Sequence, residues 1–139
     1  MRRIRIFLIL CVIATGFCFG QLPHTFTQYT SEDGLSQNTI MSILQDDKGV
    51  MWFATWDGLY KFDGYTFNNY KAHPGDSIGL SNNRLDNIKE DRYGYIWVQS
   101  YNHQVYRFNP RLERFQAIPY DNYLSLDMYV LPCGDVWII

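Results

Sequence analysis

The 139-residue sequence predicts an all-β chain built from repeated units of four antiparallel strands, and three observations carry that prediction. A five-residue signature returns at a fixed spacing, turn residues punctuate each copy at hairpin intervals, and no stretch after residue 20 sustains the 3.6-residue apolar period of a helix. Composition agrees. Aromatic residues make up 17% of the chain on a background of Gly, Asn and Asp, a mixture suited to short strands joined by tight turns.

The signature is Gly34-Leu35-Ser36-Gln37-Asn38, which returns 45 residues later as Gly79-Leu80-Ser81-Asn82-Asn83. At the same offset Ile43 falls on Ile88, Asp46 on Asp91, Gly49 on Gly94 and Trp52 on Trp97. After one inserted residue, Tyr60 and Phe62 meet Tyr106 and Phe108, and Phe67 then meets Phe115. A third copy begins with Gly134 and Trp137. In the first unit the strands are expected near 39–45, 50–55, 59–62 and 66–70, with hairpin turns at 46–49, 56–58 and 63–64. In the second they are expected near 85–90, 95–99, 104–108 and 113–118. An Asp-x-x-Gly turn reverses the chain tightly, since the Asp side chain binds backbone N–H groups and the Gly accepts a positive φ.

Some 45 residues carrying four strands is the period of a β-propeller blade. The expected layout is a blade at 35–70, a second at 80–118 and a truncated third at 127–139. Ahead of them, Phe26 and Tyr29 repeat the spacing of Phe67 and Tyr70, so 24–30 reads as an orphan closure strand. A propeller needs about four blades or more, so the ring is expected to be incomplete, with further blades of a longer chain as its partners. Trp52, Trp97 and Trp137 share one blade position and are expected to pack between neighbouring sheets.

Asp46, Gly49, Trp52 and Thr55, followed by Gly58-Leu59-Tyr60 and Phe62, form a pattern that resembles the two-component regulator propeller repeat. With Tyr29-Thr30-Ser31-Glu32-Asp33-Gly34 ahead of it, the chain is similar to the N-terminus of a hybrid two-component system sensor. The second copy departs from the pattern at Ser100, which replaces Thr55, and at Asn102-His103-Gln104, which replaces Asp57-Gly58. The resemblance implies a periplasmic sensing region that recognises an oligosaccharide and signals to a histidine kinase located downstream. It also implies a membrane link only through that downstream region, and a homodimer in the full-length receptor.

The N-terminus fits such a destination. Residues 1–5 are basic, 6–19 are apolar, and small residues end the run at Gly20, the pattern of a cleaved signal peptide at 1–20; an uncleaved anchor is the alternative. Cleavage places the remaining chain in the periplasm or outside the cell. It removes Cys11 and Cys18, leaving Cys133 without a partner for an internal disulfide. It also removes Arg2, Arg3 and Arg5 from the twelve basic residues, so nine face fourteen acidic ones. With no basic stripe, nucleic acid is not an expected partner.

The residues offer no catalytic constellation and no cofactor motif. The acidic pairs Asp46-Asp47 and Glu90-Asp91 sit in equivalent hairpin turns, where adjacent carboxylates define no separation across a substrate. Asp47, Gly49 and Trp52 resemble part of an Asp-box, but Arg92 breaks that pattern in the second unit. His24, His73 and His103 lie far apart without further ligands at metal-binding spacing. Trp56 and Asp57, with Tyr101 and Asn102 in the next unit, remain as candidates for ligand binding: loop aromatics stack on sugar rings, and they also serve simply as packed loop residues. A secreted propeller-scaffold carbohydrate-active enzyme and a protein-interaction propeller are the rival readings. Purified residues 21–139 are expected to be loosely folded or associated, because missing neighbours leave blade faces uncovered. Analytical ultracentrifugation with thermal melting checks this, and a monodisperse monomer with a sharp cooperative melt contradicts it.

Overall fold

A computed structural model describes residues 25–72, 79–119 and 127–139. Residues 1–20, read in the sequence as a signal peptide, and His24 and His73 lie outside the described residues. Strands β1 (Ile40–Gln45), β2 (Met51–Thr55), β3 (Gly58–Phe62) and β4 (Phe67–Tyr70) form one antiparallel meander in sequence order. Strands β5 (Leu85–Glu90), β6 (Ile96–Ser100), β7 (Val105–Asn109) and β8 (Arg114–Ala117) form a second. β9 (Met128–Val130) and β10 (Val136–Ile138) pair as the start of a third. The described residues are all-β apart from a 3-10 turn at Ser31–Asp33, and they close no ring. Both full sheets carry an irregularity at the same place in their first ladder, between Ile40 and Ser42 and between Leu85 and Asn87. The repeat therefore extends to a fault in strand register.

The hairpin that opens each blade explains the most regular part of the motif. Asp46 Oδ1 accepts from the N–H groups of Lys48 (3.0 Å) and Val50 (2.8 Å), closing the turn, while Oδ2 accepts from the Trp52 indole Nε1 at 3.0 Å. Asp91 does the same with Tyr93 (2.8 Å), Tyr95 (3.1 Å) and Trp97 Nε1 (2.8 Å). One carboxylate thus fixes both the turn and the orientation of the indole six residues on. The third hairpin keeps the backbone bonds, Leu131 N to Asp135 O at 2.8 Å and Gly134 N to Leu131 O at 2.9 Å. It has Leu131 where the aspartate stands.

A second device ties the start of each unit to its third strand. Leu35 and Leu80 are buried, and the serine after each meets a tyrosine hydroxyl: Ser36 with Tyr60, and Ser81 Oγ with Tyr106 at 2.6 Å. Both tyrosines are fully buried, so these partners satisfy hydroxyls that water cannot reach.

The apolar core lies between the sheets. Trp52, Ala54 and Leu59 of the first blade pack with Leu85, Ile88, Ile96, Val98 and Phe108 of the second. Trp52 meets the Phe108 ring edge-on at 5.6 Å, and Tyr70 meets it at 4.8 Å. Hydrogen bonds also cross, from Gly58 N to Asn83 O (2.8 Å), Ala72 N to Asn83 Oδ1 (2.6 Å) and Tyr70 Oη to Glu113 Oε1 (2.8 Å). Burial and that bond to a carboxylate push the Tyr70 hydroxyl well above its ordinary range.

Burial at equivalent positions follows the presence of a neighbour. Ile88 is 2% exposed and Ile43, at the same blade position, 58%; Trp52 is 1% exposed and Trp137 57%. Trp97, in the blade followed by the two strands of the third unit, is half-buried. The shared core position expected for the three tryptophans is thus reached in full by Trp52 alone among them. Residues 25–30 form no strand ladder among the described residues; Tyr29 instead sets its ring against Phe62 (5.0 Å) and Phe67 (5.5 Å). A fourth strand needs the third strand of its own blade beside it, and that segment has none among the described residues.

Asp91→Ala is expected to destabilise the chain by roughly 2–4 kcal/mol, since it strips a charged acceptor from three donors at once. Leu131→Asp supplies the missing acceptor in the third hairpin and is expected to stabilise it by about 1 kcal/mol. Urea unfolding of both variants against the parent checks the pair. Gly58 has φ +107°, and an added Cβ would lie 2.5 Å from Tyr70 O, whereas Gly64 at φ +99° has open space. Gly58→Ala is therefore expected to cost roughly 2–4 kcal/mol and Gly64→Ala about 1 kcal/mol in the same assay.

Candidate functional site

One end of the blades gathers the β2–β3 and β6–β7 loops and the connections that precede β1 and β5. Trp56 and Tyr101 occupy equivalent places in the two hairpin loops and are 42% and 55% exposed. The structure brings both to a residue that the sequence reading passed over. The Arg84 guanidinium lies over the Trp56 ring at 4.4 Å and over the Tyr101 ring at 4.1 Å. Its backbone carbonyl accepts from Tyr101 N at 2.8 Å, and its own N–H donates to Asn82 Oδ1 at 2.8 Å, so the residue is fixed from both sides of the chain. Among the described residues no acceptor meets the buried Arg84 Nε.

Asp57 belongs to a separate polar group. Its carboxylate accepts from Lys71 Nζ at 2.5 Å and from Ser36 Oγ at 2.8 Å. Burial pushes this carboxyl upward, but the hydrogen bonds from Lys71 and Ser36 and the lysine charge outweigh it and hold the group below its ordinary range. Lys71 is raised in turn, first by its bond to Asp57. Asn102 has a local role, its Oδ1 lying 2.6 Å from Ser100 Oγ, which also donates to Gln104 O at 2.9 Å. Thr55 plays the same part in the first blade, donating to Gly58 O at 3.0 Å and accepting from Asp57 N at 2.9 Å. The longer loop of the second blade replaces the left-handed Gly58 with His103, at φ +65°.

The opposite end carries the acidic turns. Asp46 and Asp91 are committed to their hairpins, and Glu90 Oε2 accepts from Asp47 N at 3.0 Å across the blades. Burial, together with the charges of Asp47 and Asp46, pushes the Glu90 carboxyl upward. Asp47, Glu90 and Asp91 line an open groove of 340 Å³ with Arg92, Val130, Leu131 and Pro132. Among the described residues no group of three His, Cys, Asp or Glu is placed to hold a metal ion, and no helix is long and apolar enough to cross a membrane.

Of the four residues singled out in the sequence, Trp56 and Tyr101 converge, Asp57 faces Lys71 and Ser36, and Asn102 shapes its own loop. Arg84 was missed, although its place carried a signal. It follows directly on the repeated five-residue signature and has Thr39 as its counterpart in the first unit, the same failure to recur that marks Trp56.

The stacked four-stranded blades define a β-propeller segment, and comparisons with known proteins give its kind. Residues 34–57 match the two component regulator propeller family. The chain is similar to histidine kinase P4 of Formosa agariphila, 48% identical over 56 residues, which are 40% of this chain and 4% of that protein. Its fold is similar to the extracellular domain of a hybrid two component system from B. thetaiotaomicron, with a TM-score of 0.70 and 26% identity, covering 84% of this chain and 18% of that one. Residues 34–57 thus carry a two-component regulator propeller repeat, and the chain is similar to parts of a histidine kinase and of a hybrid two component system. It spans a small part of the length of either relative.

The Asp57 carboxyl has its folded-state pKa depressed, so the stability it contributes is present above its ordinary range near 3.8 and is lost as pH falls through the lower folded value. Denaturation midpoints are expected to drop in that acid window. Asp57→Asn is expected to flatten the drop, which a series of urea titrations below pH 5 measures.

Proposed function

We propose that this chain is a ligand-sensing segment in the periplasmic or extracellular part of a two-component receptor. It recognises an oligosaccharide at the end of the blades that carries Trp56 and Tyr101, and the event is relayed to a histidine kinase elsewhere in the receptor. The observation that carries this reading is the convergence of those two half-exposed rings, from equivalent loops of adjacent blades, on a single residue of the connection between them. Exposed aromatic side chains on loops held by a rigid scaffold are a common form of binding surface. The kinds of relative support the signalling half of the reading, since one is named a histidine kinase and the other is part of a hybrid two component system.

Signalling through such a site requires the ligand to bind one arrangement of the receptor better than another. The site spans two blades, so occupancy bears on how they sit together. An enzymatic role finds less support: the acidic residues that would serve a glycosidase lie at the other end of the blades, with Asp46 and Asp91 each accepting three hydrogen bonds.

Isothermal calorimetry of the complete ectodomain against a glycan panel tests the proposal. A binding heat for at least one oligosaccharide is expected, with Trp56→Ala weakening it roughly tenfold, the scale of about 1.4 kcal/mol. Absence of heat across the panel, with a protein partner captured instead, contradicts it.

A further inference from the structure

Arg84 alters what the two aromatic rings can do. A guanidinium lying over a ring uses its face for the ring and keeps its N–H edge for an acceptor. Both Trp56 and Tyr101 serve Arg84 in this way, so part of the ring surface that would stack on a sugar is already covered. The recognition chemistry of this end of the blades therefore shifts from ring stacking toward an ion.

One donor of that ion, Nε, is unmet among the described residues. Arg84 Nε is shielded from solvent and has no hydrogen-bond partner among the described residues, and buried donors without acceptors are rare because they have given up water without replacement. The carboxylate nearest in the loop sequence, Asp57 beside Trp56, is held by Lys71 and Ser36. The ion pair among the described residues is that Lys71–Asp57 pair, and Arg84 takes part in none. The chain as a whole has a formal net charge of −2, so a cation left without a carboxylate is not the result of too few acids. Arg84 is also held in place by two backbone hydrogen bonds, so its position does not depend on a bound partner.

We infer that Arg84 determines the specificity of this face and that the oligosaccharide it takes carries an oxyanion, either a uronate carboxylate or a sulfate ester. The terminal N–H groups of the guanidinium, beyond the shielded Nε, form a planar edge that matches two oxygens of such a group, a match that an ammonium does not reproduce. Trp56 and Tyr101 are then positioning residues, which hold the plane of the cation. The inference rests on the oligosaccharide reading above and narrows it to charged sugars.

The test is calorimetry on the complete ectodomain with an oligogalacturonate, a sulfated galactan oligosaccharide and a neutral cello-oligosaccharide of equal length. Sodium sulfate and sodium acetate serve as simple anions. One or both charged oligosaccharides are expected to bind, more weakly as salt rises, with the neutral one at least 100-fold weaker. Which charged probe binds separates the carboxylate from the sulfate source. Arg84→Gln is expected to lose about 100-fold and Arg84→Lys about tenfold, the second variant keeping the charge while losing the planar edge. Binding of the neutral oligosaccharide as tightly as the charged ones, unchanged by Arg84→Gln, overturns the inference and leaves the oligosaccharide reading standing. If no oligosaccharide binds while sulfate or acetate raises the melting temperature only when Arg84 is present, the anion site stands and the oligosaccharide reading falls. Silence from every probe overturns both. Should Arg84→Gln not fold, Arg84→Lys and the selectivity of the parent protein decide.

Discussion

Burial in this chain is supplied by the next sheet rather than by the sheet itself. A four-stranded meander satisfies its internal backbone hydrogen bonds but leaves two apolar faces, and only a neighbour stacked on each face removes them from water. The paired positions Ile43 and Ile88 make the point without further argument: same residue type, same blade position, one exposed and one buried. Everything at the candidate site follows from this stacking. Trp56 belongs to the first blade and Tyr101 to the second, and they share Arg84 because the two sheets are in register side by side.

Within that arrangement the repeated residues divide into two sets of work. Asp46 with Trp52, and Asp91 with Trp97, organise a blade from inside, each carboxylate closing a turn and aiming an indole at the adjoining sheet. Asn83 works between blades, its carbonyl and side-chain oxygens accepting from Gly58 and Ala72. Ser36 works within its own unit, binding the buried hydroxyl of Tyr60 and the carboxylate of Asp57, so the signature that opens a unit also helps order the loop that presents Trp56.

The repeat made the architecture legible because a strand is dictated by local pattern and a blade by its period. The expected strands fall within about a residue of those observed, and the extra residue after Ser100 was visible as a break in phase. What the sequence left dark was long-range. Nothing in the residue types says that Lys71 closes on Asp57 or that Arg84 lies over two rings, since each depends on where separate segments come together. The site was half legible for the same reason: Trp56 and Tyr101 stood out by failing to repeat, while Asp57 and Asn102, chosen beside them, serve the loops themselves.

The indole that recurs in every blade also has an optical consequence. Its environment runs from sealed at Trp52, through half-covered at Trp97, to open at Trp137, and the carboxylate partner of the first two is replaced by Leu131 at the third. The emission of a tryptophan shifts to longer wavelength as water reaches it, so the fluorescence of these three residues registers how many sheets are stacked. Addition of a neighbour onto the open face would move the colour of one identifiable residue, giving the repeat a built-in gauge of its own assembly.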